Sequence, residues 1–243
     1  MKQLLDKNKK KYLLDIGCGS GFLLSKMEGQ FDRVFGVDVS PEALQLAKKF
    51  TKAHLAIASA EKLPFANIKF DCIISTDAFE HIPNDAMAIC EVERVLGPDG
   101  VFVIYVPSQR GILSNTKLAH SFHTSQKSYL LDYRYYTINS LKALLEDGGL
   151  RVEYVGYHNV FFQEFFTQFL KWIALLMNKK YEHQGDINTF LDSSFFPSYR
   201  WIILPVVGFL VRAEEIVCEK VFRARLPGHR IVAKCRSINI KKM

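Results

Sequence analysis

The sequence has no C-x-x-C pair, no unbroken apolar run of about 20 residues and no Ser- or Gly-rich linker, and each absence removes a class of protein. The five cysteines, Cys18, Cys72, Cys90, Cys218 and Cys235, are scattered. That spacing excludes a disulfide-built scaffold and makes a reducing cytoplasm the expectation. Nothing in Met1 to Lys11 resembles the apolar core of a signal segment. No internal repeat or low-complexity tract interrupts the chain, so neither a solenoid nor a disordered array is indicated.

What remains is an ordinary globular composition. At 243 residues, 49% hydrophobic and 23% charged, the chain can bury a full core. The formal charge of +7 is concentrated partly at the ends, in Lys7 and Lys9 to Lys11 and in Arg223, Arg225, Arg230, Lys234 and Arg236. Such clusters can attract nucleic acid or anionic lipid, but they also keep proteins soluble, and solvated surface is the preferred reading.

The first two thirds alternate short apolar runs with helical patterns, the mark of an α/β fold with a parallel sheet. Predicted strands are Tyr12 to Ile16, Arg33 to Val37, His54 to Ala58, Phe70 to Ser75 and Val101 to Val106. They are apolar on successive residues and do not alternate, as strands buried on both faces are. Ser40 caps a predicted helix that has Pro41 at its first position, and a second helix runs from Asn84 to Leu96 before Gly97-Pro98. The turn Pro98-Asp99-Gly100 leads into the fifth strand. Further on, Thr137 caps a helix to Leu145, Gly148-Gly149 stops it, and strands follow at Leu150 to Tyr157 and His229 to Cys235.

The most informative stretch is Leu13-Leu14-Asp15-Ile16-Gly17-Cys18-Gly19-Ser20-Gly21-Phe22, where an apolar strand runs into alternating glycines and then a helical pattern. Residues without Cβ let a ligand lie against the main chain, and Asp15 stands where it could receive an ammonium group. Asp38, at the end of the second strand, has the spacing of a carboxylate that grips two ribose hydroxyls. The G-x-G-x-G pattern differs from the dinucleotide fingerprint, since Phe22 holds the place of its third glycine. Together these features predict nucleoside binding.

From Asp15 to Gly21 and Asp38, through Ala60-Glu61-Lys62-Leu63-Pro64-Phe65, Phe70-Asp71-Cys72-Ile73-Ile74-Ser75 and Phe79-Glu80-His81-Ile82-Pro83, to Glu91-Val92-Glu93-Arg94-Val95-Leu96, the chain resembles class I S-adenosylmethionine-dependent methyltransferases. The likeness is to the methyltransferase-11 type, which includes quinone, sterol and natural-product enzymes. Fainter echoes are Arg134-Tyr135-Tyr136-Thr137 and Pro227-Gly228-His229-Arg230-Ile231-Val232. The resemblance implies a Rossmann-like seven-stranded sheet, mostly parallel with one antiparallel strand, with helices on both faces. It implies S-adenosyl-L-methionine as cofactor, held by Asp15, Gly17, Cys18, Gly19 and Gly21 at its methionine part and by Asp38 at the ribose. Ser59 and Ala60 would flank adenine. Where the family often has an acid that accepts from the adenine amine, this chain has Ser59, a weaker acceptor. Only about ten residues precede the first strand, so cover for the cofactor is expected from elsewhere.

Methyl transfer needs the acceptor positioned, and an oxygen acceptor must also lose a proton. Histidine suits that task near neutral pH, and His81, following the fourth strand, is the predicted base. His123, Tyr133 and Tyr135 are candidate acceptor-pocket residues. His120 and His123 have a metal-like spacing without a cysteine or carboxylate partner, and no metal is expected.

Between the core (1–158) and the last strand with its basic tail (228–243) lies an aromatic insertion, 159–227. In it Phe162, Phe165, Phe166, Phe169, Ile173 and Leu176 recur at helical spacing, while the run Trp201 to Val211 is broken by Pro205 and Gly208. Core packing or a lid is the expected use, with contact at a membrane surface as the alternative to a purely cytoplasmic chain. The expected acceptor is small and hydrophobic or lipid-like, methylated at O or C. The competing functions are RNA methylation, which the lack of an N-P-P-Y-type motif disfavours, and a cofactor-binding pseudoenzyme. No nucleic-acid partner is expected, and the oligomeric state is left open.

Overall fold

The computed structural model describes residues 12–67, 70–109, 134–158 and 230–238. The insertion at 159–227, together with His120, His123 and Tyr133, lies outside the described residues.

The apolar runs of the sequence form strands, buried on both faces at the centre of the sheet and partly exposed at His54–Ile57 and Leu150–His158. They are β1 (Tyr12–Ile16), β2 (Arg33–Asp38), β3 (His54–Ile57), β4 (Phe70–Thr76), β5 (Leu96–Pro107), β6 (Leu150–His158) and β7 (Arg230–Ser237). They make one seven-stranded sheet in the order β3-β2-β1-β4-β5-β7-β6, mostly parallel with an antiparallel pair. Leu13, Leu14, Ile73, Ile74 and every residue from Val101 to Ile104 are fully buried. Such burial explains the unbroken apolar runs, since side chains pointing either way leave water.

The helices among the described residues are α1 (Phe22–Met27), α2 (Pro41–Phe50), α3 (Asp85–Val95) and α4 (Ile138–Asp147). On one face Leu24 and Met27 of α1 and Leu44 of α2 pack on Leu13, Cys72, Ile74, Val101 and Val103. Their starts follow the sequence signals. Ser40 Oγ accepts from the Ala43 N–H at 3.1 Å with Pro41 next to it, and Asn84 Oδ1 accepts from Met87 at 3.0 Å. Thr137 and Ser140 close a reciprocal capping box.

One boundary differs in kind from the expectation. The residues read as a turn, Pro98-Asp99-Gly100, fall within β5, because Leu96 already pairs with Phe70 while the next pair is Val101 with Cys72. Gly97 to Gly100 is thus an irregularity inside a strand, with Pro98 and Asp99 exposed. Turn-forming residues mark a local bend, and the ladder resumes beyond it.

The strand order reverses between β1 and β4: β2 and β3 extend one way, β5 the other. Loops leaving the carboxyl ends of β1 and β4 therefore diverge to opposite sides, opening a crevice where ligands of open α/β sheets bind.

Candidate functional site

At that reversal β1 delivers Asp15 and then the glycine bend. The Gly17 and Cys18 N–H groups both donate to the Val37 carbonyl, at 2.9 and 3.1 Å, and Gly21 N–H donates to the Cys18 carbonyl at 2.9 Å. Gly17, Gly19 and Gly21 have φ of 74°, 50° and 72°, in the left-handed region where side chains are disfavoured. Their surroundings separate their roles. A Cβ on Gly17 would stand 2.3 Å from the Ala78 Cβ, and one on Gly21 would meet Thr51 and Ala47 at 2.9 and 3.0 Å. Only on Gly19 would a Cβ project into open space with nothing within 4 Å. The spacing in the sequence assigns all three glycines to ligand clearance. In the structure Gly17 and Gly21 are bare so that the β4 loop and α2 can close against the bend, and Gly19 alone opens a cradle.

Asp15 is paired in register with Gly36 and Ile74 and is only 2% exposed. Among the described residues no donor bonds its carboxylate. Burial, and then the neighbouring Asp38 charge, raise its pKa from 3.8 to about 7. Asp38 differs, for its Oδ2 accepts from Gly19 N–H at 2.8 Å and its Oδ1 from Ser40 N–H at 2.9 Å. The ribose candidate is thus also the strut that shapes the bend, and each oxygen has a second lone pair to offer. Cys18 turns its thiol into the core beside Leu13, Leu24 and Val34, where burial and the two aspartates raise its pKa. Any contact it makes with a ligand is through its backbone.

The loop after β3 carries Ser59 and Ala60. Ser59 Oγ accepts from Glu61 N–H at 3.2 Å and donates to Glu61 Oε2 at 3.3 Å, and Ala60 is 8% exposed. Beside them the large apolar side chains of Val39 and Ile57 stand 67% and 63% exposed. Sequence reasoning misses these two, Val39 just beyond β2 and Ile57 at the end of β3, because an apolar residue beside a strand carries no local sign of its exposure.

Across the crevice, Ser75 Oγ donates to the Ile16 carbonyl at 2.8 Å and ties the ends of β1 and β4 together. Asp77 follows with φ 52°, the one non-glycine residue at positive φ among the described residues, and its N–H donates to the Tyr105 carbonyl at 3.1 Å. Strained backbone of this kind gathers at functional sites. A one-turn 3-10 helix, Phe79–His81, then presents His81, exposed, with its N–H on the Ala78 carbonyl at 3.0 Å. Partial desolvation lowers the His81 pKa and the Asp77 carboxylate opposes that shift. The ring is therefore neutral, and able to take a proton, at pH 7. The sequence signal for Asp77 is slight: aspartate tolerates left-handed backbone better than most residues.

This turn is fastened from outside. Arg134 N–H donates to the Glu80 carbonyl at 3.1 Å, its guanidinium meets Asp85 Oδ2 at 2.6 Å, and Tyr136 OH donates to the same oxygen at 2.9 Å. Tyr135, the candidate pocket residue that is described, is 43% exposed, and its phenol is shifted upward first by desolvation and then by Glu80. Asp15, the bend, Asp38 and the β3 loop thus border one side of the reversal. His81 and Asp77 stand on the other, and Ala78 joins the two.

Fold and site together define an open α/β domain with a candidate ligand crevice at the strand reversal. Residues 14–104 match the model of a methyltransferase domain family. An uncharacterized protein of Methanocaldococcus jannaschii is 39% identical over 39% of this chain and 36% of its own length. A ubiquinone/menaquinone biosynthesis C-methyltransferase of Klebsiella pneumoniae is 29% identical over 61% of this chain and 68% of its own. Among solved structures, a methyltransferase-like protein of Bacillus halodurans superposes with a TM-score of 0.59 at 19% identity, covering 97% of this chain and 96% of that one. The match to the archaeal relative spans little more than a third of that protein. Residues 14–104 thus carry a methyltransferase domain, and S-adenosyl-L-methionine is the cofactor that such a domain implies.

The residues present fit this cofactor. Its ammonium and sulfonium charges complement a buried carboxylate that no donor among the described residues bonds, and the space over Gly19 admits a chain against the backbone.

Proposed function

We propose that the protein transfers the methyl group of S-adenosyl-L-methionine to an O or C atom of a small, hydrophobic or lipid-like acceptor. The observation that carries this reading is the uncompensated buried Asp15 beside the open Gly19 cradle, with His81 exposed across the reversal. Asp15 would hold the ammonium and Asp38 the ribose hydroxyls, and the exposed Val39 and Ile57 with Ser59 and Ala60 would border the base. The cofactor supplies an electrophilic methyl on sulfur, and the transfer is an in-line displacement without a covalent enzyme intermediate. Positioning therefore carries most of the task, about 7 to 11 kcal/mol of barrier in well-oriented cases. For a hydroxyl acceptor, His81 Nδ1 or Nε2 would receive the proton as the new C–O bond forms and the methyl's C–S bond breaks, with S-adenosylhomocysteine as the leaving group.

The apolar acceptor is favoured by the aromatic content of 159–227, where a lid or a membrane-facing surface would lie, and by the quinone enzyme among the relatives. His123, Tyr133 and Tyr135 are the acceptor-binding candidates in this reading. Among the described residues no helix is long and apolar enough to cross a membrane.

The test is radiolabelled methyl transfer by the full chain to lipid extract, to small-molecule pools and to total RNA. Label in the lipid or small-molecule fraction is the expected result. Label in RNA alone contradicts the acceptor class, and cofactor binding without label in any pool makes the protein a pseudoenzyme.

A further inference from the structure

The loop between β3 and β4 contains neither helix nor strand from Ala58 to Asn67, yet it borders the proposed nucleobase position. Left to itself such a segment would sample many conformations, and fixing it costs conformational entropy at every residue. Something must offset that cost if the loop is to form one wall of a binding site.

What holds it comes from one helix. Arg94 on α3 donates through Nη1 to the Phe65 carbonyl at 2.8 Å and to Asn67 Oδ1 at 2.9 Å, and through Nη2 to the Leu63 carbonyl at 3.2 Å. Glu91, one turn earlier, receives Arg94 Nε at 2.6 Å on one oxygen and Nη2 at 2.7 Å on the other. That second oxygen also accepts the Leu63 N–H at 2.7 Å. Leu63 is thereby held by both its N–H and its carbonyl. At the near end Glu61 Oε1 accepts from Asn84, the cap of α3, at 2.7 Å, while its other oxygen holds Ser59.

These groups are not needed to bury the helix, which presents Ala88, Ile89, Val92 and Val95 to the core. Nor is the ion pair itself a large source of stability, since both partners keep partial access to water. Its consequence is geometric. The guanidinium fork meets two carbonyls, an amide oxygen and a carboxylate at once, an arrangement that a lysine point charge does not reproduce.

We propose that Arg94, backed by Glu91 and with Glu61 as a latch, is a positioning residue that sets the β3–β4 loop as the wall of the nucleobase subsite, and so governs discrimination between bases. The proposal rests on the reading that Ser59 and Ala60 flank adenine. It also bears on the weak acceptor at Ser59: donation to Glu61 polarises the hydroxyl and makes its oxygen a better acceptor.

The test uses the full chain and two probes, S-adenosylhomocysteine and its hypoxanthine counterpart, in which a carbonyl replaces the 6-amino donor. Wild type is expected to prefer the adenine compound by about tenfold or more in calorimetry. Arg94→Ala should bring that preference to within about threefold, and Arg94→Lys should fall between. If Arg94→Ala does not fold, Glu91→Gln, which keeps the arginine and the side-chain volume, should still reduce the preference. A merely structural role lowers melting temperature and both affinities in parallel. An unchanged adenine preference in the variants, or no preference in a wild type that binds, overturns the proposal. A wild type that binds neither probe overturns the nucleoside site as well, so the two failures are told apart.

Discussion

Asp15 and the three glycines show how single residues divide binding from stability. A carboxyl with a folded pKa near 7, against 3.8 unperturbed, keeps its proton in the folded state over a window where the unfolded chain has lost it. Stability of the ligand-free protein therefore falls as pH rises from about 4 to 7. Asp15→Asn should remove that slope and raise stability at pH 7.5, by on the order of 2 kcal/mol, while abolishing cofactor binding. Denaturant melts across pH, paired with calorimetry, check both halves, and a variant less stable than wild type at pH 7.5 contradicts the account. The glycines give a matched pair. Gly19→Ala meets only backbone strain, about 1–2 kcal/mol, but obstructs the cradle, whereas Gly17→Ala must also push Ala78 away. Gly17→Ala is expected to have the lower melting temperature, and Gly19→Ala the larger loss of affinity relative to its loss of stability. For His81, the lowered pKa places the acid limb of methyl transfer to a hydroxyl acceptor below pH 6.5. His81→Ala should remove that limb and slow turnover with little change in cofactor affinity. A variant with the wild-type profile excludes His81 as the base.

Among the elements, legibility depended on whether the deciding contacts were local. β1 begins and ends where the apolar run Tyr12 to Ile16 does, and Ser40 and Thr137 cap the helices that follow them. Each of these is settled by residues within a few positions of one another. The same is true of Asp15, the bend and Asp38, which a single β-α-β unit holds together. β5 was not legible at its start, because Gly-Pro-Asp-Gly carries the same local signal whether it ends a pairing or interrupts one. Likewise the contact that makes Gly17 necessary is with Ala78, just beyond the end of β4, and the left-handed Asp77 is tied by its N–H to Tyr105 on β5. The first leaves no mark in the nearby sequence and the second only the slight one of an aspartate. Ser40 offers an element-scale check: Ser40→Ala removes the cap of α2 and should cost about 1 kcal/mol in denaturant unfolding. It leaves the Ser40 N–H on Asp38 intact, so cofactor affinity should change little.

At the scale of the whole molecule, the site is where separate parts of the described chain converge. β1 and β2 bring two carboxylates, the β3 loop brings Ser59 and Ala60, and β4 brings the strained Asp77 and the His81 turn. Cross-ties keep these parts in register: Ser75 to Ile16, Ala78 against Gly17, and Arg94 and Glu91 to the β3 loop. A rise in order at one edge should therefore be felt at the other, and cofactor binding is expected to slow hydrogen exchange in 77–82 as well as in 17–21. The most direct measurement of the central claim is calorimetric titration of the folded full chain and of Asp38→Asn with S-adenosylhomocysteine. Wild type should bind one equivalent and Asp38→Asn should bind about 10- to 100-fold more weakly. No binding by folded wild type, or equal binding by the variant, contradicts it.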